Sequence, residues 1–277
     1  MSEERTIDAG DLRPSNLLSY SGPGSIVNTK YDAIMIYGCN FWPQKLDTKK
    51  KKYKILHHEL LQKKLKLTHI RMPLSHERGF NIPVFSFPTW SVCENCNRLQ
   101  IHDETPDLLS GHFEGYPCWY CKDHGIDPND CRLAHARFAV ICEKGHIDEF
   151  PWDKWAHQKK PNMECDQNHK KDQPWLEFTE AQNSSGLKDY WVTCKKCGAR
   201  KNCGGATDPS PFIKLNVTCS GRSPWLNKTE LCMDENGKET IVRGIQIRAN
   251  SIWYSVTMSA LKIPKWLHPV NRKLDEE

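Results

Sequence analysis

The chain has 277 residues, a formal net charge of +5 and a hydrophobic content of 38%. This modest hydrophobic content, with 17 prolines and 16 glycines, favours several small cores over one large core. No apolar run reaches the roughly 18 residues that a transmembrane helix needs, so no transmembrane helix is expected. The composition predicts an irregular, loop-rich build. Together with the elements and motifs below, it leads us to expect an α+β scaffold with small β-sheets, zinc-ribbon-like modules and short helices.

The cellular compartment decides how the 13 cysteines are interpreted. The first residues, 1–5, lack the basic segment and the following apolar segment of a secretory signal. We therefore expect a cytoplasmic, reducing location, where CxxC pairs are typical metal ligands and disulfides are rare.

A turn and a strand are predicted near the N-terminus. Gly22 and Gly24 flank Pro23, a pattern typical of a turn. The same glycines would cradle a phosphate only if a lysine and a serine or threonine followed, and they do not. The apolar run at 33–37 predicts a buried strand.

Lysines dominate residues 45–66, whereas the rest of the chain is slightly acidic. Leucines at 56, 60, 61 and 65 have helical spacing and predict a short amphipathic helix over 54–66. The lysines either contact nucleic-acid phosphates or only confer solubility. The residues assigned to the first alternative are Lys49, Lys50, Lys51 and Lys52.

Two CxxC pairs separated by residues 97–117 predict a first metal site. A CxxC turn presents two thiolates to one ion, and two such turns complete a tetrahedron. This spacing is typical of a structural zinc ribbon. The ligands are Cys93, Cys96, Cys118 and Cys121.

The string at 138–157 predicts a strand over 138–141 followed by a weaker, third metal site. Its ligands would be Cys142, His146, His157 and Cys165. The alternative is a hydrogen-bonded structural His146 and a Cys142 that belongs to the core. Nearby Asp148, Glu149 and Asp153 would suit a hydrolytic metal centre, but a cysteine-rich site is normally closed and structural.

A second metal site is predicted further along the chain, from one CxxC pair and two single cysteines. Its ligands would be Cys194, Cys197, Cys219 and Cys232. The cysteines left over are Cys39, Cys131 and Cys203, which we expect to be small buried residues rather than nucleophiles.

Tryptophans cluster beside the cysteines and have two interpretations. They either cover the small metal sites and exclude water or stack on nucleic-acid bases. We favour packing because a zinc module has little aliphatic core. The residues are Trp90, Trp119, Trp152, Trp155, Trp175, Trp191 and Trp225.

Three regions are expected: a β-rich region with one basic helix at 1–90, a zinc-ribbon-like module at 91–135, and a second cysteine-rich region at 136–277. The last region ends in an apolar, strand-like segment around 245–256. We expect this segment to need an external partner, because an exposed apolar patch is normally an interface.

Several strings resemble the N-terminal half of the DrmB family, and together they cover nearly the whole chain. They are residues 13–18 with 22–24, 87–90 before the first CxxC, 142–152, 219–225, 243–244, 249–254 and 259–264. DrmB belongs to the DISARM antiphage defence system of bacteria. The resemblance implies a non-enzymatic accessory subunit that binds a DrmA-like helicase on DNA, with ATP hydrolysis left to the helicase.

This chain departs from the family at its end, because full-length DrmB proteins continue into a second, cysteine-containing half. A split gene, a shortened relative or a truncated form would each explain the departure. We favour a split gene whose separate polypeptide carries the missing half. Two other functions stay open: a stand-alone nucleic-acid-binding zinc protein and a metal-dependent hydrolase.

Overall fold

The computed structural model describes residues 14–28, 33–42, 55–71, 82–102, 116–159, 165, 175–181, 186–247, 252–256, 258 and 261. Within these ranges, short antiparallel strands form small separate sheets that are joined by short helices and turns. This architecture confirms the predicted irregular α+β class. The helices of the described ranges are all too short or too polar to cross a bilayer.

The elements are short throughout. The helices are α1 (Pro14–Ser19), α2 (Glu59–Leu65), α3 (Trp119–Asp123), α4 (Trp152–His157) and α5 (Ser210–Lys214). The strands are β1 (Ile26–Asn28), β2 (Ala33–Ile36), β3 (Ile55–Leu56), β4 (Ile70–Arg71), β5 (Val84–Ser86), β6 (Trp90–Cys93), β7 (Leu99–Ile101), β8 (Leu133–His135), β9 (Phe138–Ile141), β10 (Ile147–Glu149), β11 (Leu176–Glu180), β12 (Tyr190–Cys194), β13 (Arg200–Asn202), β14 (Arg222–Ser223), β15 (Lys228–Thr229) and β16 (Arg243–Gln246).

The described strands form four three-stranded sheets and two strand pairs. The orders are β1-β2-β5, β7-β6-β8, β10-β9-β16 and β11-β12-β13, and the pairs are β3-β4 and β14-β15. A single antiparallel bridge between Arg98 and Glu177 brings the start of β7 against β11. The Phe178 amide reinforces this junction by donating to the Asn97 carbonyl at 2.7 Å. Two of the sheets are thus held side by side.

The main hydrophobic core is built from aromatic rings around α4. Trp152, Trp155, Phe138, Phe150 and Phe212 are all almost completely buried. The rings pack with centroid distances of 4.5 Å for Phe150 and Trp152 and 5.2 Å for Phe150 and Trp155. Large rings remove much area from water per residue, which suits a chain with few aliphatic side chains. Packing is thereby confirmed for Trp152 and Trp155, whereas Trp119 is 42% exposed.

The N-terminal predictions are confirmed with one change of boundary. Residues 33–36 form the buried strand β2, and residues 22–24 lie in a turn. The predicted helix over 54–66 is shorter, because α2 starts only after His58, whose Nδ1 accepts from the Leu61 amide at 3.3 Å. Ile55 and Leu56 belong to β3 instead. The predicted nucleic-acid residues Lys49, Lys50, Lys51 and Lys52 lie outside the described residues.

The apolar segment predicted to need an external partner packs in large part against the chain itself. Ile245 in β16 and Ile247 just after it are buried against the central strand β9. The Trp253 indole N–H donates to the Pro23 carbonyl at 3.0 Å, which holds this segment against the N-terminal turn. The prediction is therefore corrected for these residues, whereas Tyr254 and Val256 are exposed.

Candidate metal centres

Cysteine and histidine side chains gather into three groups of four in the described part of the chain. Within each group, the candidate ligand atoms all lie within 4.8 Å of one another. The first cluster is Cys93, Cys96, Cys118 and Cys121; the second cluster is Cys142, His146, Cys219 and Cys232; the third cluster is His157, Cys165, Cys194 and Cys197.

Each cluster takes two ligands from the turn of an antiparallel hairpin. The turn between β6 and β7 carries Cys93 and Cys96, and the turn between β12 and β13 carries Cys194 and Cys197. In both turns, a residue with a left-handed backbone follows the second cysteine, Asn97 in one and Gly198 in the other. The amides of these two residues donate to the carbonyl of the first cysteine at 2.9 and 2.8 Å. The two turns therefore have the same local build.

The second half of the first cluster comes from the start of α3. Cys118 is the N-cap of this helix, and its Sγ accepts from the Cys121 amide at 3.5 Å. The Gln100 side chain of β7 donates to Cys118 Sγ at 2.7 Å and accepts from the Trp119 amide at 3.0 Å. Gln100 thus fixes the helix against the sheet at the point where the two ligand pairs meet.

The second cluster joins the β9–β10 turn to a distant segment around β14 and β15. Cys142 Sγ lies 3.5 Å from His146 Nδ1 and 3.9 Å from Cys232 Sγ. Cys219 Sγ lies 3.6 Å from the same histidine nitrogen and accepts from the Gly221 amide at 3.3 Å. The cluster therefore connects residues that are far apart in the sequence.

The other ring nitrogen of His146 contacts a carboxylate. His146 Nε2 lies 3.0 Å from Glu230 Oε1. Burial would lower the pKa of His146, but the Glu230 carboxylate and Cys232 outweigh burial and raise it. A carboxylate behind a ligating histidine fixes the ring and increases its basicity, which is a common arrangement at metal sites.

The third cluster is closed by helix α4. His157 ends this helix, and its Nδ1 lies 2.7 Å from the Asp153 carbonyl. A proton on Nδ1 satisfies this hydrogen bond and leaves the Nε2 lone pair facing Cys197 Sγ at 3.3 Å. Cys165 Sγ lies 3.7 Å from Cys194 Sγ and completes the group.

The distances fit a tetrahedral ion of the size of zinc. With Zn–S bonds of about 2.3 Å and Zn–N bonds of about 2.0–2.1 Å, a tetrahedron has S···S edges of about 3.8 Å and S···N edges of about 3.5 Å. The S···S separations given above for the second and third clusters lie close to this edge. In the first cluster the separations are 3.8 Å for Cys93 and Cys121 and 3.6 Å for Cys96 and Cys118. The three donor sets therefore match structural zinc sites.

The thiols of the first cluster need a cation to ionise together. Hydrogen bonding with Cys118 lowers the pKa of Cys93, and hydrogen bonding with the same Cys118 raises the pKa of Cys96. One thiolate is thus stabilised by neighbours that keep their protons. In the third cluster, burial raises the pKa of Cys165 to about 12. A bound divalent ion would reverse this preference, because it compensates several thiolates at once.

The structure keeps one predicted grouping and replaces two. The first cluster unites the four residues of the first predicted site. The second predicted site is divided, because Cys194 and Cys197 belong to the third cluster and Cys219 and Cys232 to the second. The third predicted site is divided as well, with Cys142 and His146 in the second cluster and His157 and Cys165 in the third. Two long-range contacts accompany the new groupings. Strand β9, which precedes Cys142, pairs with β16, and helix α4, which carries His157, packs on β12, which ends at Cys194.

Two of the acidic residues near His146, Asp148 and Glu149, accept hydrogen bonds from protein groups. Asp148 accepts from the Ser220 hydroxyl at 2.6 Å and from the Arg222 guanidinium at 3.3 Å. Glu149 accepts from the Thr89 amide at 2.6 Å, and burial raises the pKa of its carboxyl to about 7. These contacts connect β10 to neighbouring segments, which is a structural arrangement.

Cys39, Cys131 and Cys203 lie outside the three clusters. Cys131 and Cys203 are completely buried, as expected, whereas Cys39 is exposed. Cys131 packs beside the first cluster, where its thiol donates to the Asp127 carbonyl at 3.2 Å.

Comparison with known proteins places the chain in a family. It belongs to the family described as Domain of unknown function (DUF8724), which matches residues 13–254. It is also similar to the DISARM protein DrmB of Bacillus paralicheniformis (strain ATCC 9945a / NCIMB 11709 / CD-2), with 29% identity over 238 residues. That match covers 84% of this chain and 36% of DrmB, so the chain spans about a third of the length of this relative. The resemblance to DrmB inferred from the motifs is confirmed.

Substitution of the carboxylate behind His146 should weaken metal binding at the second cluster. We expect Glu230→Gln to lower the affinity for one of the metal ions about tenfold. Loss of a hydrogen-bond partner behind a metal ligand typically lowers the affinity about 10–100-fold, and we expect the smaller effect because Glu230 is 61% exposed. Competition with a chromophoric chelator measures this loss. The control is Glu235→Gln, which removes an exposed carboxylate nearby and should change nothing. Equal affinities in both variants would contradict a role for Glu230.

Proposed function

We propose that this chain is a non-catalytic, zinc-stabilised accessory subunit of a bacterial antiphage defence complex of the DISARM type. In this role it binds a DrmA-like helicase in the cytoplasm and assists the engagement of DNA. The observation that carries the proposal is the similarity to the DISARM protein DrmB over 84% of the chain.

The geometry of the clusters supports a structural role for the metal. Each cluster offers four protein ligands: four cysteines in the first cluster, and three cysteines and one histidine in each of the other two. A catalytic zinc ion normally has three protein ligands and one open position. Four protein ligands fill the tetrahedron, so the ions would stabilise the fold and leave no position for a reacting water.

The arrangement of Asp148 supports the same conclusion. A hydrolase would need a carboxylate free to activate water, but Asp148 is held by Ser220 and Arg222. Under the proposal, His146→Ala removes metal and destabilises the fold, whereas a hydrolase would keep its fold and lose nucleic-acid cleavage.

A contact surface for partners is part of the proposal. The chain spans 36% of the length of DrmB. The exposed Tyr254 and Val256 are candidates for a surface that contacts the part of a DrmB-like protein that this match does not cover. The helicase would supply the ATP hydrolysis.

Purification of the tagged chain from its native host tests this proposal. We expect a large helicase to copurify at moderate salt and to be identified by mass spectrometry. A nuclease-treated sample separates direct binding from bridging by DNA. The matched control is a tagged Cys142→Ser chain, which should lose the partners because the second cluster no longer forms.

Recovery of the wild-type chain without a helicase, in cells that express the neighbouring genes, would contradict the accessory role. A nuclease activity that copurifies with the chain alone and disappears in Asp148→Ala would favour the hydrolase instead.

A further inference from the structure

One face of the β11-β12-β13 sheet is covered by polar, basic and aromatic side chains. Alternation along the strands sends Leu176, Phe178 and Val192 into the core on the other face. Across the strands, Glu177 is paired with Thr193 and Thr193 with Arg200. The bridge between Arg98 and Glu177 extends the row by one more position. We call this surface, with its row from Arg98 to Arg200, the sheet face.

The arginine at each end of this row is stacked on an aromatic ring. The Arg200 guanidinium lies over the Trp191 ring at 4.1 Å, and the Arg98 guanidinium lies over the Tyr120 ring of α3 at 3.8 Å. Stacking holds a guanidinium plane at a fixed orientation and lowers the entropy lost when it binds a ligand. The two arginines are separated by three strand spacings, which is about 14 Å.

The side chains in the row, together with the adjacent Lys195, have a net positive charge. Glu177 is the only acidic side chain in the row, and Lys195 lies 3.3 Å from its carboxylate. Arg98, Lys195 and Arg200 thus outnumber this single carboxylate. The neighbouring row adds Thr179 and Asn202 on either side of Trp191. Large aliphatic side chains are missing from both rows, which is unlike a hydrophobic protein interface.

The metal clusters fix both ends of the sheet face. Arg98 follows the Cys93–Cys96 turn, and Arg200 follows the Cys194–Cys197 turn. Ligand binding in these turns would hold the arginines in place before any partner arrives. A preformed basic surface binds more tightly than one that has to be ordered on binding.

We propose that the sheet face binds single-stranded nucleic acid. The arginines pair with phosphates, and their planes and the exposed Trp119, which precedes Tyr120 on α3, offer stacking surfaces for bases. Charge complementarity and the absence of large aliphatic side chains from both rows favour this polyanion over a folded protein partner. The inference deepens the proposed role in DNA engagement. It rests on the proposed function in one respect, which is that this function places the chain near DNA.

Fluorescence anisotropy with a fluorescein-labelled 20-nucleotide oligodeoxythymidine tests the sheet face in the full chain. We expect the double variant Arg98→Gln/Arg200→Gln to bind at least tenfold more weakly at low salt. The slope of log affinity against log salt should fall by about 1.4, since each lost single-strand phosphate contact removes about 0.7. Thr193→Glu, which puts a carboxylate in the centre of the row, should weaken binding without touching either arginine.

The control Lys228→Gln/Lys238→Gln removes the same charge from exposed positions around the second cluster and should bind within twofold of wild type. Metal content and circular dichroism verify that each variant is folded. Absence of binding by the wild-type chain in about 50 mM salt, or equal affinities of the arginine variant and the control, would overturn the proposal. Equal displacement by a poly-glutamate peptide would assign the face to an acidic protein surface instead.

The helicase experiment separates this inference from the proposed function. Copurification of the helicase with the Arg98→Gln/Arg200→Gln chain, together with lost oligonucleotide binding, is the result expected if both are correct. Copurification with unchanged oligonucleotide binding would refute the sheet face and leave the accessory role intact.

Discussion

Metal analysis of the purified chain is expected to give three zinc ions per molecule. Cys194→Ser and Cys219→Ser should each remove one ion, and the double variant should remove two, because the two cysteines belong to different clusters. Structural zinc contributes about 10–16 kcal/mol in small modules, comparable with the whole stability of a domain. Each loss should therefore unfold the region around its cluster. Plasma emission spectrometry after dialysis against a mild chelator measures the stoichiometry.

The pair Cys194 and Cys219 distinguishes the two possible groupings. If both cysteines bound the same ion, the double variant would lose no more metal than either single variant, and that result would refute the clusters described here. Cys203→Ala is the matched control, since it removes a completely buried cysteine that lies outside the clusters. It should keep all three ions.

The sequence predicts the hairpin halves of the clusters better than their completion. A CxxC turn is a local feature, so Cys93 with Cys96 and Cys194 with Cys197 could be recognised from spacing alone. Completion depends on contacts across long stretches of chain, as the pairing of β9 with β16 illustrates. Cys142 and Cys232 are separated by 90 positions and yet lie 3.9 Å apart. Spacing contains no information about such a contact.

The two histidines show why a nearest-neighbour assignment fails. The second cluster encloses the third along the chain: its ligands at 142 and 146 precede those of the third cluster, and its ligands at 219 and 232 follow them. An assignment that groups neighbours therefore exchanges ligands between the two. The sequence marked His157 as a candidate ligand, but the helix that orients it, through a contact of its ring with the Asp153 carbonyl four residues back, was not predicted.

The sheet face was beyond sequence reasoning for a similar reason. The lysines at 49–52 attract attention because they are consecutive, whereas Arg98 and Arg200 are isolated in the sequence. Only the bridge of Arg98 to Glu177 and the register of β11, β12 and β13 put them in one row. Trp191 was recognised only as one of several tryptophans beside cysteines, and nothing in its spacing indicates the contact with Arg200.

Gly221→Ala is expected to be among the most destabilising single substitutions in the second cluster. Gly221 has a φ of +69°, and an added Cβ would lie 1.5 Å from the Glu230 carbonyl oxygen and 2.7 Å from its carbon. The backbone cannot move away easily, since the Glu230 amide donates to the Gly221 carbonyl at 3.0 Å and the Gly221 amide donates to Cys219 Sγ at 3.3 Å. We expect a loss of roughly 4–5 kcal/mol, at the exceptional end for one substitution.

Gly237→Ala provides the matched control for this prediction. Gly237 has nearly the same φ, +72°, but an added Cβ would meet nothing within 4 Å. This variant therefore measures the cost of the left-handed backbone alone, about 1–2 kcal/mol. Thermal unfolding should show a shift of a few degrees for Gly237→Ala and of roughly 8–20 °C for Gly221→Ala, at about 2–4 °C for each kcal/mol. Gly221→Ala should also lose one zinc ion while Gly237→Ala keeps three, because only the clash displaces Cys219.

Similar melting temperatures and full metal content in both variants would contradict this prediction. That result would show that the 219–232 segment relaxes around the added methyl group. The close approach of Gly221 to Glu230 would then not be what holds the second cluster together.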